Sequence, residues 1–257
     1  MSLTKIFIKN KKTLISVILA IVFVACLIVA NFISLYIIQV DTKTEEVENA
    51  GFEVYMLSLS KSKLENEAKS IAPDFQEIGA GGFIWKNDDY FHVIASCYIN
   101  KNDAELVKNS IKLNQNLESE IFTVKFSNCL LKGSFDQEEK KVLTRSLAAA
   151  QIFYTSIYDI AVSLDTGVIN EISAKLSVNG TCNNISTIYA NFDTIYPSPI
   201  ISPLKEVNAY LKSIIKLSQA LATDERTNKT QTYSSHLKYR YLEALSNYSN
   251  FLNKIKK

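Results

Sequence analysis

Aromatic side chains are concentrated in segments whose residues alternate with the period of a β-strand, so that successive side chains would point to opposite faces of a sheet. Aromatic rings in a β-sheet either pack into the core or form a platform on which flat ligands such as sugar rings stack. Alternation along a strand places about half of the rings on each face, so the sequence leaves both roles open. The residues that we expect on a ligand-binding face are Tyr55, Trp85, His92, Ile94 and Ser96.

The residue types that carry most catalysis and metal binding are sparse. The two histidines, His92 and His236, stand far apart, and no serine-nucleophile motif, phosphate-binding loop or two-histidine zinc motif occurs. The glycine-rich run Gly79–Gly82 lacks the spacing of a phosphate loop and favours a turn or bulge. The pair Glu138 and Glu139 fits the first turn of a solvated helix better than a glycan-cleaving pair. We therefore expect no enzyme, no cofactor and no metal site.

The four cysteines do not form a metal-binding pattern. Cys26 lies within an apolar run, and Cys97, Cys129 and Cys182 are spaced far apart without any CxxC pair. Two alternatives stay open for the last three: one disulfide with a spare thiol, or three isolated buried thiols.

The charge balance excludes one class of partner. The chain has 28 Lys and Arg residues against 26 Asp and Glu residues, a net charge of +2. Such a small excess does not attract nucleic acid by bulk electrostatics, so we expect no nucleic-acid partner.

The elements that would position the aromatic candidates follow the order strand, helix, strand, strand, helix, strand. This order is typical of the ferredoxin-like βαββαβ fold, in which four strands form one antiparallel sheet with both helices on one face. The other face would be open. In the third strand we expect Val93 and Ala95 to face the helices, with Val107 and Ile111 opposite. The predicted segments are strand 53–60, helix 61–72 ending before Pro73, hairpin 83–98, a helix opening near Asn100 and strand 120–126.

Residues 53–126 resemble a SPOR domain, the sporulation-related repeat. The resemblance is carried by the third strand and the following helix, where Tyr90, Val93, Ala95 and Tyr98 precede the segment Asn100–Ala104. The family usually has Gly where this chain has Ser96. The resemblance implies an extracytoplasmic domain that binds peptidoglycan glycan strands at division or sporulation sites.

Helical periodicity replaces strand alternation from about residue 135. Asp136 and Glu139 form the pattern of a capping box, and Gly180 favours a helix end. The predicted helices are 137–164, 168–178, 203–222 and 232–255, and the ambiguous stretch 181–196 suggests a further short helix. Together they indicate an all-α domain of four or five helices over residues 135–257.

The last predicted helix is rich in tyrosine and in basic residues, among them Lys238, Tyr239, Arg240, Tyr241 and Tyr248. Basic residues near the end of a helix are stabilised by its dipole, which is one explanation. A contact with an anionic polymer of the cell envelope is the other.

Residues 14–38 form an uninterrupted run of 25 residues without a charge. A helix of that length is about 37 Å long, enough to cross a bilayer core of about 30 Å. Lysines precede the run and acidic residues follow it, so the positive-inside rule predicts a cytoplasmic N-terminus. The predicted division is a cytoplasmic segment 1–13, a transmembrane helix 14–40, a linker 41–52, a SPOR-like domain 53–127 and a helical domain 135–257.

Together these features predict the α+β fold class, with a single transmembrane helix, a ferredoxin-like SPOR-like domain and an all-α domain. The predicted protein is a single-pass cell-membrane protein whose extracytoplasmic part binds peptidoglycan and other envelope or divisome proteins. The alternative is a membrane-anchored protein–protein interaction scaffold that does not bind glycan.

Overall fold

The computed structural model describes residues 45–198 and 201–255. Within the chain, Glu46–Lys257 form one compact unit. The predicted cytoplasmic segment and the predicted transmembrane helix both lie outside the described residues. Their placement, and with it the predicted localisation, stays a prediction from sequence.

The strands form two sheets, one of four strands and one of two. The larger sheet has the strand order β3–β4–β2–β5, in which every neighbouring pair is antiparallel. The smaller one pairs the first strand with the last. The bounds are β1 Glu45–Asn49, β2 Phe52–Ser62, β3 Phe83–Asn87, β4 Tyr90–Tyr98, β5 Glu120–Phe126 and β6 Cys129–Gly133.

Two helices alternate with the strands of the larger sheet, and five follow the last strand. The bounds are α1 Glu65–Glu77, α2 Lys101–Gln115, α3 Gln137–Leu147, α4 Ala149–Asp165, α5 Glu171–Ile195, α6 Ser202–Ala222 and α7 Tyr233–Ile255. Both α1 and α2 cross between strands of the larger sheet, as the element order predicted.

The predicted fold class, taken as a whole, is wrong. The described residues form one α+β unit with seven helices and two small sheets. In residues 45–198 and 201–255 no single helix is long and apolar enough to cross a membrane, and only α3 and α4 together, bent by 47°, reach that length and composition. The strand β6 occupies the stretch between the two predicted domains.

One face of the larger sheet packs against α1 and α2 as expected. Val93 is fully buried with Ala68 and Ala72 of α1. Ala95 lies in a second cluster, with Ala104 of α2, and Val107 and Ile111 pack against it. The prediction that Val93 and Ala95 face the helices is therefore confirmed.

The other face of this sheet, which was expected to be open, is covered by α7. Met56, Trp85 and Ile94 share a continuous core with side chains of that helix. The Tyr239 ring meets Phe83 edge-on at 5.3 Å, and Tyr248 lies 5.6 Å from Phe126. The reason is the hydrophobic effect, because a sheet that is apolar on both faces is stabilised when both faces are removed from water. The larger sheet is therefore packed between α1 and α2 on one face and α7 on the other.

The helix boundaries show where local signals hold and where packing overrides them. Asp136 and Glu139 form the predicted capping box, which is confirmed. The predicted ends at Pro73 and Gly180 are wrong, since α1 continues to Glu77 and α5 runs through Gly180. A glycine in a helix costs about 1 kcal/mol, less than the burial of the residues that follow it, Cys182, Ile185 and Ile188, contributes.

The helix predicted over residues 137–164 is instead two helices that bend at Ala148. The Ala150 N–H near this bend donates to the Tyr210 hydroxyl at 2.6 Å. A buried backbone donor that lies near a helix break needs such a partner, because an unpaired one is costly.

The covered face leads to a stability prediction. Ile94 is 0% exposed, so Ile94→Asp would bury an unpaired charge and should lower the free energy of unfolding by about 4 kcal/mol or more. Urea unfolding of the full chain measures this change. Leu113→Asp is the matched control because Leu113 of α2 is 85% exposed, and we expect a change within about 0.5 kcal/mol. Equal stability of Ile94→Asp and the parent chain would show that this sheet face is open.

Candidate functional site

Three of the predicted ligand-binding residues share the sheet face that α7 covers. Trp85 pairs with His92, and Ile94 is the next residue on the same side of β4. All three are buried. Their ligand-binding role stays a prediction, but in this structure they are packed in the interior rather than presented on an open surface.

The other two predicted residues lie elsewhere. Tyr55 is half-buried on the side of α2, and its hydroxyl donates to Glu53 at 2.6 Å, which raises the pKa of Tyr55. The pairing of β2 with β4 shifts register after Ser96, so that Ala95 is left without a partner strand residue. This bulge places Ser96 opposite Leu57 instead of on the face of Ile94.

His92 lies beside a serine and a carboxylate, the residue types of a catalytic relay, but they are not arranged as in such a relay. Its Nδ1 lies 3.0 Å from a Glu120 carboxylate oxygen and 3.2 Å from the Ser58 hydroxyl. In a serine–histidine–carboxylate relay the serine and the carboxylate contact opposite ring nitrogens. Here both contact the same nitrogen. Burial outweighs the effect of the Glu120 charge and lowers the pKa of His92, so the ring is neutral at pH 7.

His236 lies in the interior of the helices. Its Nε2 is 3.4 Å from the Ala220 carbonyl oxygen, and its other ring nitrogen is buried without a hydrogen-bond partner among the described residues. Burial, with Arg240 nearby, lowers its pKa from 6.5 to about 4. The ring is a neutral core side chain.

The three cysteines of the described part are isolated, buried thiols. This finding decides between the two alternatives that the spacing left open. Burial raises the pKa of Cys129 to about 11 and also raises that of Cys97 and Cys182. The Cys182 thiol donates to the Ser218 carbonyl at 3.1 Å. Protonated, buried thiols are poor nucleophiles.

A cavity of about 740 Å³ lies where the larger sheet meets α2, α4 and α7. We call it the tyrosine pocket, after Tyr98 of β4, Tyr158 of α4 and Tyr241 of α7. Three other cavities lined by described residues measure about 220 to 270 Å³. The remaining wall is mostly apolar and includes Leu57, Leu59, Ala80, Ala95, Val107, Ile111, Ala161 and Val162.

The glycine-rich loop closes one side of this pocket. Gly81 lies so close to α7 that an added Cβ would be 3.0 Å from a Leu242 methyl carbon and 3.1 Å from the Ala95 carbonyl oxygen. Its N–H donates to that same carbonyl at 2.7 Å. The close approach requires glycine and fixes the preceding residues, including Gly79 and Ala80, at the wall of the pocket. The prediction of a turn-forming rather than phosphate-binding role agrees with this packing.

The Tyr158 ring contacts the other two tyrosine rings at steep angles. The Tyr98 and Tyr158 rings are 6.2 Å apart with an interplanar angle of 86°, and Tyr158 and Tyr241 are 6.3 Å apart at 65°. The Tyr241 hydroxyl lies 2.7 Å from the Ser96 hydroxyl, which ties α7 to the bulged strand. Of the five residues predicted to bind ligand, Ser96 is the one that lines this pocket.

Charged groups converge on the rim of the tyrosine pocket. Lys238 Nζ lies 2.6 Å from an Asp165 carboxylate oxygen and donates to the Gly79 carbonyl at 2.8 Å. Asp103, in the first turn of α2, is a second carboxylate of the lining. Burial, and then the Asp103 charge, raises the pKa of Tyr158 to about 12, so its hydroxyl keeps its proton at neutral pH.

Sequence reasoning missed this pocket because its residues come from distant parts of the chain. Tyr241 and Lys238 had been noted on the last helix, with contact to an anionic polymer as one explanation. In the structure Lys238 is paired with Asp165 and Tyr241 is fully buried. The 13 tyrosines of the chain were the signal that pointed this way, but a count does not show which rings meet.

No group of three or more His, Cys, Asp or Glu side chains in residues 45–198 and 201–255 is arranged to hold a metal ion. Comparison of the chain with protein-family models, with curated proteins and with solved structures found no match. The SPOR resemblance therefore stays a prediction that rests on the residues quoted for it.

The histidine buried in the helices leads to a prediction of pH dependence. Because the pKa of His236 is lower in the folded chain, the unfolded chain binds this proton more readily, and stability falls as the pH drops below 6.5. The interval from 6.5 to about 4 corresponds to about 3 kcal/mol of lost stability. We expect His236→Gln, which does not titrate, to show a smaller loss of unfolding free energy between pH 7 and pH 4. Parallel pH profiles for the two proteins in chemical unfolding would contradict the assignment.

Proposed function

We propose that the unit Glu46–Lys257 is a binding module that takes a small organic molecule into the tyrosine pocket. The observation that carries this proposal is the cavity itself, about 740 Å³ with mostly apolar walls and a few convergent polar groups. Small-molecule sites typically have about 300–1,000 Å³ and this kind of lining. The rim offers a lysine, two carboxylates and tyrosine hydroxyls that could orient a ligand.

Binding rather than catalysis is the function that these side chains support. The lining contains no cysteine or histidine, and its buried tyrosines keep their protons because burial raises the pKa of Tyr98 and Tyr241. The Lys238 side chain is held by Asp165 and the Gly79 carbonyl, so it is not free to act on a ligand. We therefore keep the expectation of a non-enzymatic protein as part of the proposal.

Peptidoglycan binding, implied by the SPOR resemblance, is a weaker proposal for the described residues. Its expected site was an open sheet face, and that face is covered by α7. A pull-down of the chain with purified cell-wall sacculi would still test it directly.

The alternative role as a protein–protein interaction scaffold has one observation in its favour. Ile172 and Leu176 are four residues apart on α5 and are 80% and 74% exposed, and Val168, which precedes the helix, is 77% exposed. Exposed apolar side chains on one stripe are typical of interaction surfaces. We rank this role second, because no described residue indicates which partner would cover the stripe.

The proposed function is tested by closing the pocket. Val162 lines the pocket from α4 and is partly exposed, so Val162→Trp adds a ring at its mouth with little demand on the core. Ile172→Trp on the exposed stripe is the matched control. Thermal unfolding of each chain would be followed with small organic ammonium ions, neutral alcohols and sugars, and organic carboxylates as probes.

We expect at least one probe class to raise the melting temperature of the parent chain and of Ile172→Trp but not of Val162→Trp. A ligand at 100 times its Kd stabilises the folded state by about 2.7 kcal/mol, which is readily measured. The proposal fails if no class stabilises the parent chain, or if Val162→Trp responds as the parent chain does.

A further inference from the structure

The charges around the tyrosine pocket do not balance. Lys238 Nζ is engaged by Asp165 at 2.6 Å and by the Gly79 carbonyl at 2.8 Å, and Ser234 donates to the second Asp165 oxygen. Asp103 lines the same pocket but forms no hydrogen bond or ion pair with any residue in the described part of the chain. Two carboxylates against one ammonium leave the pocket with one uncompensated negative charge.

This arrangement disfavours an anionic ligand. An anion would have to displace Asp165 from Lys238, whose side chain is only 14% exposed, and would then lie beside two carboxylates. Both carboxylates are exposed to solvent, so the repulsion is screened, but it still disfavours an anion. The uncompensated negative charge of the pocket therefore favours a cationic ligand.

The aromatic walls suit the same kind of ligand. The Tyr98 and Tyr158 rings stand at 86° to each other, so together they form a corner of two ring planes. The negative face of an aromatic ring attracts a cation within about 6 Å, and ring-lined sites of this kind recognise organic ammonium groups. The Asp103 charge, which acts on the Tyr158 hydroxyl, lies near that corner.

We propose that the tyrosine pocket binds an organic ammonium ion, with Asp103 as its counter-charge and the Tyr98 and Tyr158 rings as its walls. This inference rests on the proposed function, because it specifies the ligand class of the same pocket. The apolar remainder of the wall, including Val107 and Ile111, would contact the carbon skeleton of the ligand. Metal cations are disfavoured because they require several oxygen ligands, and one free carboxylate among apolar residues does not supply them.

The test uses two probes of the same shape and different charge. Choline carries a trimethylammonium group, and 3,3-dimethyl-1-butanol replaces its nitrogen with carbon and is neutral. Calorimetric titration of the full chain should show choline binding about tenfold more tightly than the neutral isostere. Asp103→Asn removes the counter-charge, so it should abolish this preference. We expect its affinity for choline to fall about tenfold and its affinity for the alcohol to change less than about twofold.

Two further variants separate the role of the Asp103 charge in binding from its effect on the first turn of α2. Asp103→Glu keeps the charge and should retain the preference for choline. Glu105→Gln removes a charge two residues along the same helix, from a residue that pairs with Lys108 and does not line the pocket. It should leave both affinities unchanged.

The outcomes distinguish this inference from the proposed function. If neutral or anionic probes bind in a manner that Val162→Trp abolishes, while choline shows no preference over its isostere, the pocket is a binding site but not for ammonium ions. If choline binds and Asp103→Asn binds it equally well, the assignment of Asp103 is wrong. If no probe depends on the open pocket, both proposals fail.

Discussion

The burial of the second face of the four-stranded sheet against α7 is the interaction on which the rest of this structure depends. Met56, Ile94 and Trp85 share one core with Leu245 and Tyr248, and this core continues into the helices. Each apolar side chain of this kind contributes about 1.5–3 kcal/mol when it leaves water. Because the sheet and the helices share this core, neither has a complete interior of its own, and residues 46–257 form a single unit.

Tyrosine allows this core to include polar groups without leaving most of them unpaired. The Tyr248 hydroxyl accepts from the Asn49 amide at 2.9 Å, the Tyr210 hydroxyl takes the Ala150 N–H at 2.6 Å, and Tyr241 meets Ser96. In each case the ring fills apolar space while the hydroxyl reaches a polar partner on another element. These bonds have direction, so they specify how α7 is placed against the strands and the other helices, which the hydrophobic effect alone does not.

The pocket is a consequence of the same placement. Gly81 brings the loop before β3 against α7, and the bulge at Ala95 turns Ser96 toward Tyr241. The pocket lies between the sheet, α2, α4 and α7, beside Tyr98 and Tyr158. Lys238 of α7 bridges from the loop to Asp165 at the end of α4, while Asp103 of α2 lines the same pocket without a hydrogen bond or ion pair among the described residues.

The sequence by itself determined the identity and order of most elements, because these depend on local signals. Alternation identified the strands of the larger sheet, the pair Asp136 and Glu139 identified a helix start, and the set of Val93 and Ala95 identified the helix-facing side of β4. Only the tertiary structure decided whether the opposite face was open, whether Gly180 ended a helix and which tyrosines met. Those outcomes depend on contacts between residues far apart in the chain, and neither periodicity nor capping carries information about such contacts. The aromatic face expected to bind ligand thus became core, and the pocket formed where four distant elements converge.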